Sequence, residues 1–169
     1  MNPDWTTFTR SITVRSSREI LYNSFATRAG MEAWFLRHCD YKNSKGISLA
    51  LHEQARAGDL YRWLWFGYGD DTDENGKILQ ANGTDLFEFS FNANGKNDMK
   101  VKVSLSEQEN EWRVDLTQYD IPVDEQSKAW YYVGCTEGWT FYLANLKSIL
   151  EGGIDLRNRN ESIKRVINS

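Results

Sequence analysis

Hydrophobic positions in this chain keep a period of two through most of its length and switch to a helical period near the end. From Glu125 to Glu151 the residues Tyr131, Tyr132, Cys135, Trp139, Tyr142, Leu143, Leu146, Ile149 and Leu150 form one apolar stripe. At roughly 100° per residue they fall within about a third of a turn, which predicts a long amphipathic helix. Asp124 can accept from the orphan N–H groups of its first turn. Gly152 and Gly153 follow the last apolar position, where a left-handed stop is easiest for glycine.

Upstream the period is two. Phe8, Ile12 and Val14 oppose Thr7, Thr9, Ser11 and Thr13, which predicts a half-buried strand. Ser16 and Glu19 have capping-box spacing for a helix carrying Ile20, Leu21, Ser24 and Phe25. Thr27 can cap a second short helix bearing Met31, Trp34 and Phe35. His38–Lys45 reads as a short strand and turn, and 46–58 fits no period. From Asp59, Tyr61, Trp63 and Trp65 share one strand face, and an acidic turn, Asp70–Gly76, leads to Ile78 and Leu79. Phe87, Phe89 and Phe91 alternate, then the Asn/Gly-rich segment 92–97 reads as a hairpin turn. Met99, Val101, Val103 and Leu105 alternate, as do Trp112, Val114 and Leu116 after a turn at Gln108–Asn110, and Pro122 ends the last strand. Strand, two short helices, about six strands and a long helix describe an α+β domain. Its antiparallel meander is covered by one helix.

At 169 residues the chain reads as a single domain, with a core over about 8–152 and a polar C-terminal tail over 153–169, either a short helix or frayed. Seven Trp exceed what a small core usually needs and point to a cavity or a partner surface. A net charge of −4 and a pI of about 5.3 weigh against nucleic acid and against an anionic membrane surface. Cys39 and Cys135 read as reduced thiols. No apolar run has the length of a membrane span, and the N-terminus lacks the basic and apolar regions of a signal peptide, so a cytoplasmic location is expected.

Three groups of residues carry a resemblance. They are Ser16-Ser17-Arg18-Glu19-Ile20 with Ala26-Thr27 and Trp34-Phe35; Gly58-Asp59-Leu60-Tyr61-Arg62-Trp63; and Gly138-Trp139 followed by Asn145-Leu146-Lys147 and Leu150-Glu151. In this order and spacing they resemble the family of activators of the 90-kDa heat-shock protein ATPase, C-terminal-domain-like, within the START-like, birch-pollen-allergen-like superfamily. The resemblance covers roughly residues 8–152. It implies a helix-grip fold: a curved antiparallel sheet of six to seven strands around a long C-terminal helix, with two short helices after the first strand. The sequence departs from the family in its acidic 70–76 segment and in lacking a proline in the next turn.

The expected site is an aromatic cavity between sheet and helix. Trp63, Trp65, Phe87 and Phe89 come from two strands, Trp139 and Tyr142 from the long helix and Trp34 from the helix pair, with the Tyr61 or Tyr142 hydroxyl orienting a ligand. The competing reading is that these rings fill the core. Gly134 and Gly138 either open the helix backbone to a ligand or permit close packing, the commoner case. His38-Cys39-Asp40 is no triad, because strand neighbours point to opposite faces. Asp71–Gly76 imitates half a calcium loop but has Asn82 where a bidentate Glu is required. Arg62 and Glu88 read as solvent-side charges, able to pair across the sheet. Trp130 and Phe141 lie off the helix stripe, either as a sticky patch or covered by the segment around Trp5.

These features support non-catalytic binding of a small apolar or aromatic ligand, with neither cofactor nor metal. A co-chaperone-like interaction module, with a chaperone or a second copy as partner, is the alternative. A cyclase- or hydrolase-type enzyme is the third reading, for which no acid, base and nucleophile can be named.

Overall fold

The computed structural model describes residues 3–91, 98–164 and 166–168, so the turn expected at 92–97 lies outside the described residues. The chain runs β1 (Phe8–Val14), α1 (Arg18–Ala26), α2 (Arg28–Trp34), β2 (His38–Lys42), β3 (Leu60–Leu64), β4 (Asp73–Ala81), β5 (Leu86–Phe91), β6 (Met99–Gln108) and β7 (Glu111–Tyr119). A short α3 (Glu125–Ser127), a π-helical stretch (Lys128–Gly134) and α4 (Cys135–Leu150) then run on as one long C-terminal helix. The strands form a seven-stranded antiparallel sheet in the order β1-β7-β6-β5-β4-β3-β2, curved around that helix. This is the helix-grip architecture expected from the element order. No described helix is long and apolar enough to cross a membrane.

Alternation places the core. Met99, Val101, Val103 and Leu105 of β6 and Val114 and Leu116 of β7 are all buried, in one core cluster with Trp139, Leu143 and Leu146 of the long helix and with the apolar residues of α1 and α2. The helix ends behave as their residues dictate. The Asp124 carboxylate accepts from the Ser127 N–H at 3.0 Å, and Gly152 takes the left-handed conformation at φ +82°. Thr27 caps α2 through the Gly30 N–H. The cap of α1 is Ser17, not Ser16: its hydroxyl accepts from the Ile20 N–H at 3.2 Å.

Several expectations change. β3 stops at Leu64, so Trp65 sits just beyond it. β4 begins at Asp73, which leaves 65–72 as the connecting loop and puts Asp73, Glu74, Asn75 and Gly76 opposite Leu64, Trp63, Arg62 and Tyr61. The acidic stretch is therefore half strand. Asp73 pairs with Arg62 at 2.6 Å, while Glu74 is buried with its carboxylate 3.2 Å from the Tyr61 hydroxyl. Among the described residues no group of acidic, His or Cys side chains could hold a metal ion. Arg62 is exposed as expected, but Glu88 is not solvent-side. It is buried, accepting from the Tyr119 hydroxyl and from the Gln80 amide at 2.6 Å. The segment after Gly153 is neither helical nor frayed at its start, because Arg157 is buried within it.

The helix pair depends on Gly30. A Cβ there would stand 1.9 Å from the backbone carbonyl oxygen of Asn23, which α1 cannot move cheaply. Gly30→Ala is therefore expected to lower unfolding stability by about 3 kcal/mol in urea titrations. Gly138→Ala, whose Cβ meets nothing within 4 Å, should raise it by about 0.5–1 kcal/mol.

Candidate functional site

Phe35 is the ring around which the site is assembled. It follows α2 directly, where Phe35 and Leu36 both donate backbone N–H groups to the Met31 carbonyl and the chain turns inward. Phe35 stacks on Trp34 with centroids 5.2 Å apart and lies 5.0 Å from Trp139. It meets Tyr142 edge-on at 4.7 Å, and Trp63 and Trp65 each edge-on at 5.8 Å. Behind it Tyr61 and Trp63 stack at 3.9 Å, Trp63 meets Phe89 at 4.9 Å, and Phe87 and Phe89 are 6.2 Å apart. Polar atoms of the stack are mostly satisfied from the backbone and from one buried amide. Trp34 donates to the Ser24 carbonyl, Tyr61 to the Ser90 carbonyl, and Trp139 to the Gln118 side chain at 3.0 Å. The Trp63 indole N–H is the exception: it is buried and has no hydrogen-bond acceptor at ordinary distance among the described residues, its polar neighbours being the Cys39 thiol and the Tyr41 hydroxyl.

Beyond this stack lies an open cleft of about 650 Å³. Phe35 and Trp139 form its floor. Trp65 and Tyr68 of the β3–β4 loop and Phe91 at the end of β5 form one side. The helix face from Gly134 through Gly138 to Tyr142 forms the other, and Val166 and Ile167 of the tail complete the rim. Of the ring residues expected to line a cavity, Trp65, Trp139 and Tyr142 reach this cleft. Trp34, Tyr61, Trp63, Phe87 and Phe89 do not line it and are buried in the stack. The Tyr61 hydroxyl is engaged by Ser90 and Glu74 and does not face the cleft. Gly138 is not a packing glycine: a Cβ there touches nothing within 4 Å, and one on Gly134 meets only the Ala129 carbonyl at 3.7 Å. Phe35, Tyr68, Phe91, Val166 and Ile167 escaped the sequence reading. Phe35 and Phe91 already stood in the alternating or helical pattern, whereas Tyr68 and the tail residues carry no periodic signal.

The electrostatics do not favour nucleophilic chemistry. Burial pushes the Cys135 thiol up to about 11, opposed by a contact with Gln118 and reinforced by the Glu74 carboxylate. Burial also raises the Tyr142 hydroxyl, with the Arg157 charge opposing it. The Cys39 thiol is buried and raised by burial and then by Glu32. His38 Nδ1 lies 3.4 Å from that same glutamate.

The tail is held at the cleft by a polar clamp. Arg157 donates to the Glu32, Ala33 and Leu36 carbonyls at the end of α2 and pairs with Asp155 at 2.8 Å. Asn145, fully buried on α4, donates to the Trp34 carbonyl at 2.7 Å and to Asp155, and accepts from the Leu156 N–H at 2.8 Å. On the outer side of the helix Trp130 is 69% exposed, with Val123 and Val133 also exposed. Trp5 does not cover Trp130; it packs edge-on against Tyr132 at 4.9 Å.

A curved antiparallel sheet gripping one long helix, with a helix pair after the first strand, defines a START-like helix-grip domain. The chain belongs to the Activator of Hsp90 ATPase homolog 1-like protein family, whose profile matches residues 15–151. Solved structures agree on the fold. A Staphylococcus saprophyticus protein is 20% identical with a TM-score of 0.67, covering 89% of this chain and 96% of its own. The Aha1 dimer from Colwellia psychrerythraea is 16% identical with a TM-score of 0.66, over 87% of this chain and 97% of its own. DynU16, a putative protein in the dynemicin biosynthetic locus, is 17% identical with a TM-score of 0.66, over 93% of this chain and 51% of its own. No curated protein matches the sequence.

The clamp predicts a pH dependence. Burial alone would raise the Asp155 carboxyl, but hydrogen bonds from Arg157 and Arg159 outweigh it and hold the carboxyl well below the usual carboxylate range. A carboxyl depressed by folding stabilises above its unfolded pKa of about 3.9, and that stabilisation is lost as pH falls below it. Asp155→Asn should therefore be less stable than the parent at pH 7, with the gap closing between about pH 4 and pH 2. Urea titrations at several pH values check this, and a gap independent of pH would remove the carboxylate's charge from the account.

Proposed function

We propose that the protein binds a small apolar or aromatic molecule, without transforming it, in the cleft between the end of the sheet and the long helix. One observation carries this reading. The aromatic stack ends in an open cleft walled by Phe35, Trp65, Trp139 and Tyr142, where the helix backbone is left bare at Gly138. Binding would work by burial. A two-ring ligand hiding on the order of 200 Å² of apolar surface gains roughly 5 kcal/mol before the cost of immobilising it. The DynU16 fold, from a biosynthetic locus for a small molecule, is compatible with such a use of the scaffold.

The second reading, a protein-interaction module, draws on the family's description as activators of Hsp90 ATPase and on the dimeric Colwellia relative. The exposed Trp130, Val123 and Val133 are the observation in its favour. It places the active surface on the outside of the helix, away from the cleft.

Native mass spectrometry of freshly purified protein, with tryptophan fluorescence across a panel of lipids and aromatic compounds, separates the two. The cleft reading expects bound mass that denaturation releases, or a saturable shift of Trp65 and Trp139 emission. It also expects Gly138→Leu to fold normally and to lose that binding at least about tenfold, because Leu fills space that is otherwise empty. The bare chain mass together with no fluorescence response from any compound would sink the cleft reading and turn attention to Trp130.

A further inference from the structure

The walls of the cleft differ from those of an ordinary apolar pocket in two respects. First, they are rich in π-faces: Phe35, Trp65, Tyr68, Phe91, Trp139 and Tyr142 all contribute. Rings carry a negative quadrupole over their faces and attract a cation held above them. Second, among the described residues the lining contains one charged side chain, the carboxylate of Glu137, and no Lys, Arg or His. Glu137 immediately precedes Gly138, the position where the helix leaves room, so a molecule lying on the bare helix backbone has this carboxylate beside it.

Charges of both signs stand behind the walls. The buried carboxylate of Glu74 acts on the Cys135 thiol in the cleft wall, pushing its ionisation upward. Among the described residues two cations stand behind the walls: Arg157, which acts on Tyr142, is paired with Asp155 at 2.8 Å and donates to the carbonyls at the end of α2, and Arg37, which donates to the Trp65 carbonyl, is paired with Asp70. Each is thereby offset by a carboxylate. The chain as a whole carries a net charge of −4. An anionic ligand would enter this cleft against a carboxylate and with no described cation on its walls. A neutral one would gain nothing from the Glu137 carboxylate. A cation satisfies both the rings and the carboxylate.

We propose that the cleft is selective for organic cations, an aromatic or alkyl group bearing a protonated or quaternary amine, with the apolar part on Phe35 and Trp139 and the ammonium between the outer rings and Glu137. This rests on the cleft being a ligand site, and it adds the chemical class of the ligand.

Three isosteric probes test it: 1-naphthylmethylammonium, 1-naphthylmethanol and 1-naphthoate, titrated against the full chain by calorimetry and tryptophan fluorescence. The expected order is ammonium tightest, by about tenfold over the alcohol, with the naphthoate weakest. Glu137→Gln should reduce the ammonium's advantage over the alcohol to about threefold or less while the alcohol still binds, a pattern that misfolding would not produce. Raising salt should weaken the ammonium alone. Equal binding of ammonium and alcohol, or an advantage that survives Glu137→Gln, overturns cation selectivity but leaves the cleft as a ligand site. Binding of none of the three, in parent and variant alike, removes both the selectivity and the binding reading.

Discussion

Phe35 joins the three layers of this protein. It is carried on the end of the helix pair, yet its ring touches Trp63 and Trp65 from the sheet and Trp139 and Tyr142 from the long helix. Aromatic pairs prefer offset or edge-to-face arrangements, so each contact fixes direction as well as distance. With Phe35 stacked on Trp34, and the Trp34 carbonyl held by Asn145, the end of α2 is locked to the middle of α4. Asn145 also holds Asp155 and the Leu156 N–H, so the same lock sets the path of the tail across the cleft. The cleft is thus bounded below by the rings of that junction and on its rim by a segment tied to it.

Much of this architecture was legible in the sequence because the period of the apolar residues is clean where one face is buried. β6 alternates Met99, Val101, Val103 and Leu105 without exception, and all are buried. The long helix, its Asp124 cap and its Gly152 stop follow from local chemistry. β4 was harder. Its first residues, Asp73 to Gly76, have the composition of a turn, and tertiary contacts override it. Asp73 faces Arg62, Glu74 turns inward to Tyr61, and Gly76 is required because a Cβ would meet the Tyr61 ring at 2.5 Å. Glu88 was misplaced for the converse reason. Strand parity puts it on the outer face, but Tyr119 and Gln80 close over its carboxylate.

The site was half legible for a related reason. Parity says which face of a strand a ring occupies, and so the rings of β3, β5 and the helix were all assigned inward. It does not say how far along the cavity each ring lies. Trp63, Phe87 and Phe89 lie within their strands and are buried, while Trp65, one residue past the end of β3, and Phe91, the last residue of β5, reach the cleft. Depth is a property of register and of where a strand stops, which depend on the partner strand. The π-helical stretch is invisible for a similar reason. It changes the hydrogen-bond ladder from i→i+4 to i→i+5 without a residue type that demands it.

The glycines of the long helix bear on whether the open cleft is incidental. A helix-interior glycine costs about 0.5–1 kcal/mol relative to alanine, so Gly134 and Gly138 together weaken the protein's longest helix by about 1–2 kcal/mol. Neither is needed for backbone conformation, since Gly134 has φ −63° and ψ −43°, values any residue adopts, and Gly138 lies within regular α4. Neither is needed for packing either, because an added side-chain carbon at Gly138 meets nothing and one at Gly134 meets a single carbonyl at ordinary contact distance. What both positions share is that they line the cleft. A larger residue at either would stabilise the helix and fill the space beside Trp139, so stability alone favours a closed cleft over the open one this chain builds. Glycine at these two positions leaves open the space beside Trp139, over the rings of Phe35 and Trp139.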